Sequence, residues 1–277
     1  MSDFKIVADS SSDMLNIKKV PFESAPLKVR TDEKEYIDDR NLDVENMVDE
    51  LLKFSGKSGS ACPSVGDWLN AFGEAKYIFC VTITSGLSGS YNSACIAKRE
   101  YEENHPDRKV FVIDSLSVGP EMMLKIEKLE ELIEKGYSYE QICAEITEYQ
   151  KHTALVFVLD SLRNLANNGR VNKIVASAAG ILGIRVIGKA SDKGDLEQLS
   201  KTRGMAKSIE KAVEIIRSLG YNGGKIRIGH CCNEEAAKAI KDIITHQYVH
   251  AEATIYKLRG LCSFYAEKGG LIVGFEK

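Results

Sequence analysis

No stretch of this chain approaches the roughly 18 to 20 apolar residues that a helix needs to cross a bilayer, which excludes a helical membrane span. A basic stripe is missing too. The 40 acidic and 37 basic residues are dispersed along 277 positions, for a formal net charge of -3. Neither nucleic acid nor an anionic membrane is therefore an expected partner. The seven cysteines are odd in number and show no CxxC spacing. Several lie in strand-like runs (Cys80, Cys231) or helix-like runs (Cys95, Cys143), as reduced, buried thiols would. His230, Cys231 and Cys232 are consecutive, and side chains that alternate along a strand do not converge on one ion, so no metal is expected. The start of the chain, M-S-D-F-K-I-V-A-D, has no charged leader followed by an apolar core, and the cytoplasm is the expected location. No G-x-x-x-x-G-K-[ST] occurs, and no G-x-G-x-x-G follows the first strand-like run. Repeats and low-complexity linkers are likewise absent.

What the chain does contain is ample core material, 44% hydrophobic with 28% charged residues. Strand-like runs at Lys5–Ala8, Pro26–Arg30, Tyr77–Ile83, Val110–Asp114, Leu155–Leu159, Arg185–Gly188, Lys225–His230 and Leu271–Phe275 alternate with amphipathic helices. Met122, Ile126, Leu129 and Ile133 share one helical face, as do Met205, Ile209, Ala212, Ile216 and Leu219. Gly136 and Gly220 stand where left-handed helix ends are expected, and Asn233 where a cap should open the next helix. Asp9 and Asp13, flanking three serines after the first strand, read as a helix cap with an acid in its first turn. The pattern predicts α/β architecture with mainly parallel sheets flanked by helices. The rhythm breaks near Lys151–Thr153, which suggests two α/β domains, 1–152 and 153–277, with a ligand cleft between them.

The most informative segment is T-S-G-L-S-G-S-Y-N-S-A, Thr84 to Ala94. It follows the apolar run Y-I-F-C-V-T-I, read as a strand buried on both faces, and opens a helix from about Ser90 to Glu103. Gly86 and Gly89 allow a tight turn with uncovered N–H groups, and the helix start adds more. Ser85, Ser88 and Ser90 offer hydroxyls, Ser88 being the best placed. A carboxylate or phosphate suits such a loop, and so does a plain serine N-cap.

Further segments accompany it: V-A-D-S-S-S-D (Val7–Asp13), S-A-C-P-S (Ser60–Ser64), V-I-D-S (Val112–Ser115), N-N-G-R-V (Asn167–Val171) and K-T-R-G (Lys201–Gly204). In this order and spacing, over nearly the whole chain, they resemble the DegV family of bacterial fatty-acid-binding proteins. The resemblance implies a two-domain DegV-like fold that holds one long-chain fatty acid in a tunnel between its domains. It implies no catalytic role and no cofactor. In some members the carboxylate is presented to a partner fatty-acid kinase, which makes an acyl phosphate. On the family's pattern, Ser60 and Ser88 hold the carboxylate, while Cys62, Gly89, Arg170 and Tyr265 lie in supporting positions. Cys62 stands where the family has glutamine, and Tyr265 where it commonly has histidine. A tyrosine still donates one hydrogen bond but stays neutral near pH 7.

Two other readings use the same loop. A serine hydrolase would take Ser88 as nucleophile, with Asp114 or Asp160 and then His230 downstream, but G-x-S-x-G requires glycine where Ser90 stands. A phosphate- or nucleotide-binding protein would use the loop and helix end, without either of the usual glycine patterns.

Overall fold

The computed structural model describes residues 3–171 and 183–277. Its first sheet is parallel throughout, in the order β2 (Phe22–Ala25), β1 (Phe4–Asp9), β6 (Tyr77–Thr82), β7 (Lys109–Asp114). Ile6, Val7, Ala8 and the run Ile78 to Val81 are fully buried, as strands covered on both faces must be. On one face Val7, Cys80 and Val110 meet Trp68 and Phe72 of α2 (Val65–Phe72) and Ala94 and Ala97 of α3 (Ser90–Asn104). On the other, Ile6, Phe79 and Val81 meet Met122, Ile126 and Leu129 of α4 (Pro120–Glu134) and Ile142 of α5 (Tyr139–Tyr149). Helix α4 thus buries the face expected of it.

The second sheet corrects the expectation of mainly parallel pairing. Its six strands run β10 (Leu196–Arg203), β9 (Ile184–Ala190), β8 (Thr153–Leu159), β13 (Leu271–Glu276), β11 (Lys225–His230), β12 (Glu252–Lys257). Only β11 and β12 are parallel there. The cause is topological: β9 and β10 form a hairpin over the turn 191–195, and the last strand of the chain enters antiparallel between β8 and β11. A third, antiparallel sheet joins β4 (Glu35–Ile37), β3 (Lys28–Thr31) and β5 (Ser58–Ala61).

Alternation along the second sheet sorts its side chains. Val156 and Val158 face α7 (Met205–Ser218) and α8 (Glu234–Gln247), packing on Ile209, Ala212, Ile216 and Ile240. Leu155, Phe157 and Leu159 face the opposite way, into a cluster with Val29, Leu165 and Phe264. Helix α4 packs on both large sheets, and Gly274 is what lets it approach β13. A Cβ there would overlap the backbone of Pro120 and Glu121.

Gly136 and Gly220 take left-handed φ of 75° and 104°, as expected of helix ends. Asn233 does precede α8, but its amide donates to the Gly269 carbonyl at 2.7 Å and makes no side-chain cap. Asp9 caps only a single 3-10 turn, Ser10–Ser12, after which Asp13 is left-handed at φ 59°. No helix among the described residues is long and apolar enough to cross a membrane.

Candidate functional site

Where the two large sheets approach each other, a cavity opens. Its walls are almost wholly apolar. Leu155, Phe157 and Leu159 line it from β8, and Ile83, Val118 and Leu261 from the other side. Polarity enters through Ser60, Ser88, Arg170 and Tyr265, so four of the six residues singled out in the sequence share one cavity. Cys62 and Gly89 are not among its lining. They stand beside each other, the Cys62 sulfur 3.4 Å from where a Cβ on Gly89 would lie.

Ser88 sits on the loop between β6 and α3, which a buried carboxylate fixes at both ends. Asp9 Oδ2 accepts from Ile83 N at 2.9 Å and from the Ser90 hydroxyl at 2.6 Å. Full burial pushes the Asp9 carboxyl up to about 6 against the pull of those same hydrogen bonds and of Ser11. Ser90 is thereby consumed: it is fully buried and bonded to Asp9, so its hydroxyl does not reach the cavity. Ser85 is exposed and outside the lining.

The uncovered N–H groups expected of this loop are also largely engaged. Ser85 N donates to Asp114 Oδ1 at 3.1 Å, Gly86 N to Thr84 Oγ1 at 3.2 Å and Leu87 N to Thr84 O at 3.2 Å. The residue before α3 is Gly89 and makes no side-chain cap, so the serine N-cap is not what the loop provides. Instead Ser90 N donates to Ser88 Oγ at 3.2 Å, which leaves the Ser88 proton available to a ligand.

The opposite side is assembled from distant segments. Ser60 lies on β5, an edge strand reading S-G-S-A, paired with Val29 of β3. Its hydroxyl and the Tyr265 phenol form a 2.7 Å hydrogen bond across 205 residues. Two O–H protons are present and one is used between them, so the pair retains one donor. Tyr265 comes from α9 (Gly260–Ala266), and the Arg170 guanidinium stands 5.9 Å from its ring centroid. Arg170 also donates from Nε to the Leu87 carbonyl at 3.2 Å, tying the Ser88 loop to the chain after α6 (Arg163–Asn167). Asn168 donates to the Ser58 carbonyl at 3.2 Å and to the Asn164 carbonyl at 2.8 Å.

The apolar wall was not distinguishable in the sequence from ordinary core, because β8 shows the same alternation on both faces. The signal that could have found it is the pair of serine hydroxyls that line the same cavity.

No triad forms around Ser88 among the described residues. His230 lines another cavity with Cys231 and Cys232, its Nδ1 accepting from Asn233 N at 3.2 Å. Asp114 holds the N–H groups of Ser85 and Leu116, and Asp160 pairs with Arg185. Among the described residues no group of three or more His, Cys, Asp and Glu side chains could hold a metal ion.

This arrangement can do one thing well: take a long apolar chain and fix an anion at its end by hydroxyl donors near a cation. The model of the family described as "Uncharacterised protein, DegV family" matches residues 3–277. A DegV domain-containing protein of Streptococcus pneumoniae is 44% identical over 277 residues, covering 99% of each chain. A DegV family protein from Eubacterium eligens, solved loaded with heptadecanoic acid, superposes with a TM-score of 0.97 at 47% identity, covering 99% of each chain. The Fatty Acid Kinase (Fak) B3 protein of Streptococcus pneumoniae, solved loaded with linoleic acid, gives 0.97 at 44% identity, again covering 99% of each. The chain belongs to the DegV family.

Proposed function

We propose that this DegV protein is a non-catalytic carrier that binds one long-chain fatty acid. The tail lies along the apolar cavity, and the carboxylate is held by Ser60 and Ser88. The observation that carries the reading is a nearly all-apolar cavity whose polar lining, among the described residues, is three hydroxyls, a thiol and one guanidinium. The fatty acids bound by the two solved relatives support it. Arg170 and Tyr265 complete the head-group surroundings, with Cys62 and Gly89 backing the loop. Taking 1–152 and 153–277 as the two domains, the lining is drawn from both. The kinase named in one relative supports presentation of the carboxylate to a fatty-acid kinase for acyl-phosphate formation, with no cofactor on this chain. We assign the carrier to the cytoplasm, where acyl phosphates would enter lipid synthesis.

Magnitudes divide the labour. About fifteen methylenes leaving water contribute on the order of 12 kcal/mol gross, at about 0.8 kcal/mol each and before ordering costs. A hydroxyl bond to a carboxylate contributes roughly 1.5 to 3 kcal/mol. The tail therefore supplies affinity, and the hydroxyls set where the carboxylate stands.

Two measurements test this. Denaturing the purified protein and extracting it for mass spectrometry should yield about one fatty acid per chain; extracts repeatedly free of lipid, with no uptake of added fatty acid, would overturn the reading. Ser88→Ala should keep the lipid while acyl-phosphate formation with a competent kinase falls about tenfold or more, the equivalent of one charge-assisted bond. Unchanged acyl-phosphate formation removes Ser88 from the assignment.

A further inference from the structure

Tyr265 stands on a helix of only seven residues, too short to persist on its own. The start of that helix is held by two carboxylates far away in sequence. Asp38 Oδ1 accepts from Gly260 N at 3.0 Å and Asp38 Oδ2 from Leu261 N at 2.9 Å. Asp13 Oδ1 accepts from Arg259 N at 2.9 Å, while its other oxygen accepts from the Tyr256 phenol at 3.3 Å. Three successive N–H groups are thus captured by side chains, and both carboxylates are buried, Asp38 at 1% and Asp13 at 7% exposure.

The fit is close. A Cβ on Gly260 would stand 2.7 Å from Asp38 Cγ and 2.8 Å from its Oδ1, so a side chain at 260 and a carboxylate at 38 exclude each other. Asp38 is itself tied to the cavity wall, its N–H donating to the carbonyl of Leu27, a lining residue, at 2.9 Å. The Arg259 guanidinium, 3.7 Å away, is the countercharge beside it. Burying two carboxylates against one arginine is costly unless they hold something that must not move. What they hold is the helix that carries Leu261, Cys262, Tyr265 and Ala266 into the cavity.

We propose that Asp38, with Asp13 beside it, is a positioning residue for the bound carboxylate. It fixes the start of α9, and through that helix it sets Tyr265 Oη against Ser60 Oγ. The inference rests on the fatty-acid reading above. Asp38 uses both oxygens as acceptors, whereas an asparagine has one acceptor and would turn an NH2 group toward an N–H donor. At position 13 an asparagine keeps one acceptor for Arg259 N and can donate to Tyr256, so it should substitute for the aspartate where alanine does not.

The test loads the full-length protein with oleate carrying 13C at its carboxyl carbon and reads the bound carboxyl resonance by NMR. Asp38→Asn should move that resonance by more than its line width while fatty-acid stoichiometry is kept. Tyr265→Phe should move it as well. The double variant should coincide with Tyr265→Phe alone, because Asp38 acts through Tyr265. Asp13→Ala should move the resonance less, and Asp13→Asn should restore most of that change. If Asp38→Asn does not fold, Gly260→Ala applies a graded version of the same displacement, and a resonance unmoved by it overturns the proposal. So does a resonance that Asp38→Asn leaves in place, or effects of Asp38→Asn and Tyr265→Phe that simply add. Wild-type protein that takes up no label overturns the fatty-acid reading itself, and this inference with it.

Discussion

The two serine hydroxyls that line the cavity are held in opposite ways. Ser88 follows a strand whose residues Ile78 to Val81 are wholly buried and precedes a helix of 15 residues, so its loop hangs from the centre of a core. Ser60 belongs to a four-residue edge strand with no large side chain, and its place depends on Val29, Asn168 and Tyr265, each supplied by a different segment. The first arrangement resists displacement because moving the loop would open the parallel sheet. The second is a convergence of weak contacts, any of which can be removed while the two large sheets stay intact. On the proposed reading, a carboxylate shared between them would meet one firm partner and one adjustable partner.

The largest effect that sharpens this contrast is electrostatic. Burial raises the Asp9 carboxyl to about 6 on the Ser88 side and the Asp13 carboxyl to about 7 beside the Tyr265 helix. Both values lie above the ordinary 3.8, so the folded protein holds these protons more tightly than the unfolded chain does. The stability they contribute is present below pH of about 4, is lost as pH rises toward about 7, and is constant above that. For Asp13 the change is on the order of 4 kcal/mol. Asp13→Asn should therefore flatten the pH dependence of the urea midpoint over that window; an unchanged slope would place the titration elsewhere.

Next in size is Asp9→Ala. It leaves the buried Ile83 N–H and the Ser90 hydroxyl without their acceptor and should cost about 2 to 3 kcal/mol in denaturant unfolding at pH 7. A loss under about 1 kcal/mol would show that the Ser88 loop is no firmer than its counterpart.

The smallest effect belongs to the other side. Asn168→Ala removes the bond to the Ser58 carbonyl and should lower stability by about 1 kcal/mol, while weakening retention of fatty acid in a dissociation assay. If instead it unfolds the protein, the Ser60 side is not the adjustable one.

Much of the Ser88 side is legible in the sequence. The run Tyr77 to Ile83 could only be a buried strand, and the glycines and serines after it marked a loop opening a helix. The sequence favours Ser88 among the loop hydroxyls but does not show that Ser90 is withdrawn from the site. Only the return of Asp9 from the first strand decides that one hydroxyl is consumed and the other left. Elsewhere five strands, two of them in the small sheet that carries Ser60, showed little signal: Phe22–Ala25, Glu35–Ile37, Ser58–Ala61, Leu196–Arg203 and Glu252–Lys257 are short, polar or half exposed. An edge strand needs only one buried face, and a three- or four-residue strand is too short to display a period.

The sequence by itself determined the alternation of strands and helices, the doubly buried parallel sheet and the family, since hydrophobic periodicity and motif spacing are properties of neighbours along the chain. Tertiary structure alone decided the antiparallel order of the second sheet, which wall residues face the cavity rather than the core, and the meeting of Ser60 with Tyr265. Those depend on pairings across as many as 205 residues. They form only where burial of both large sheets brings the segments together, and no local pattern in the chain encodes them.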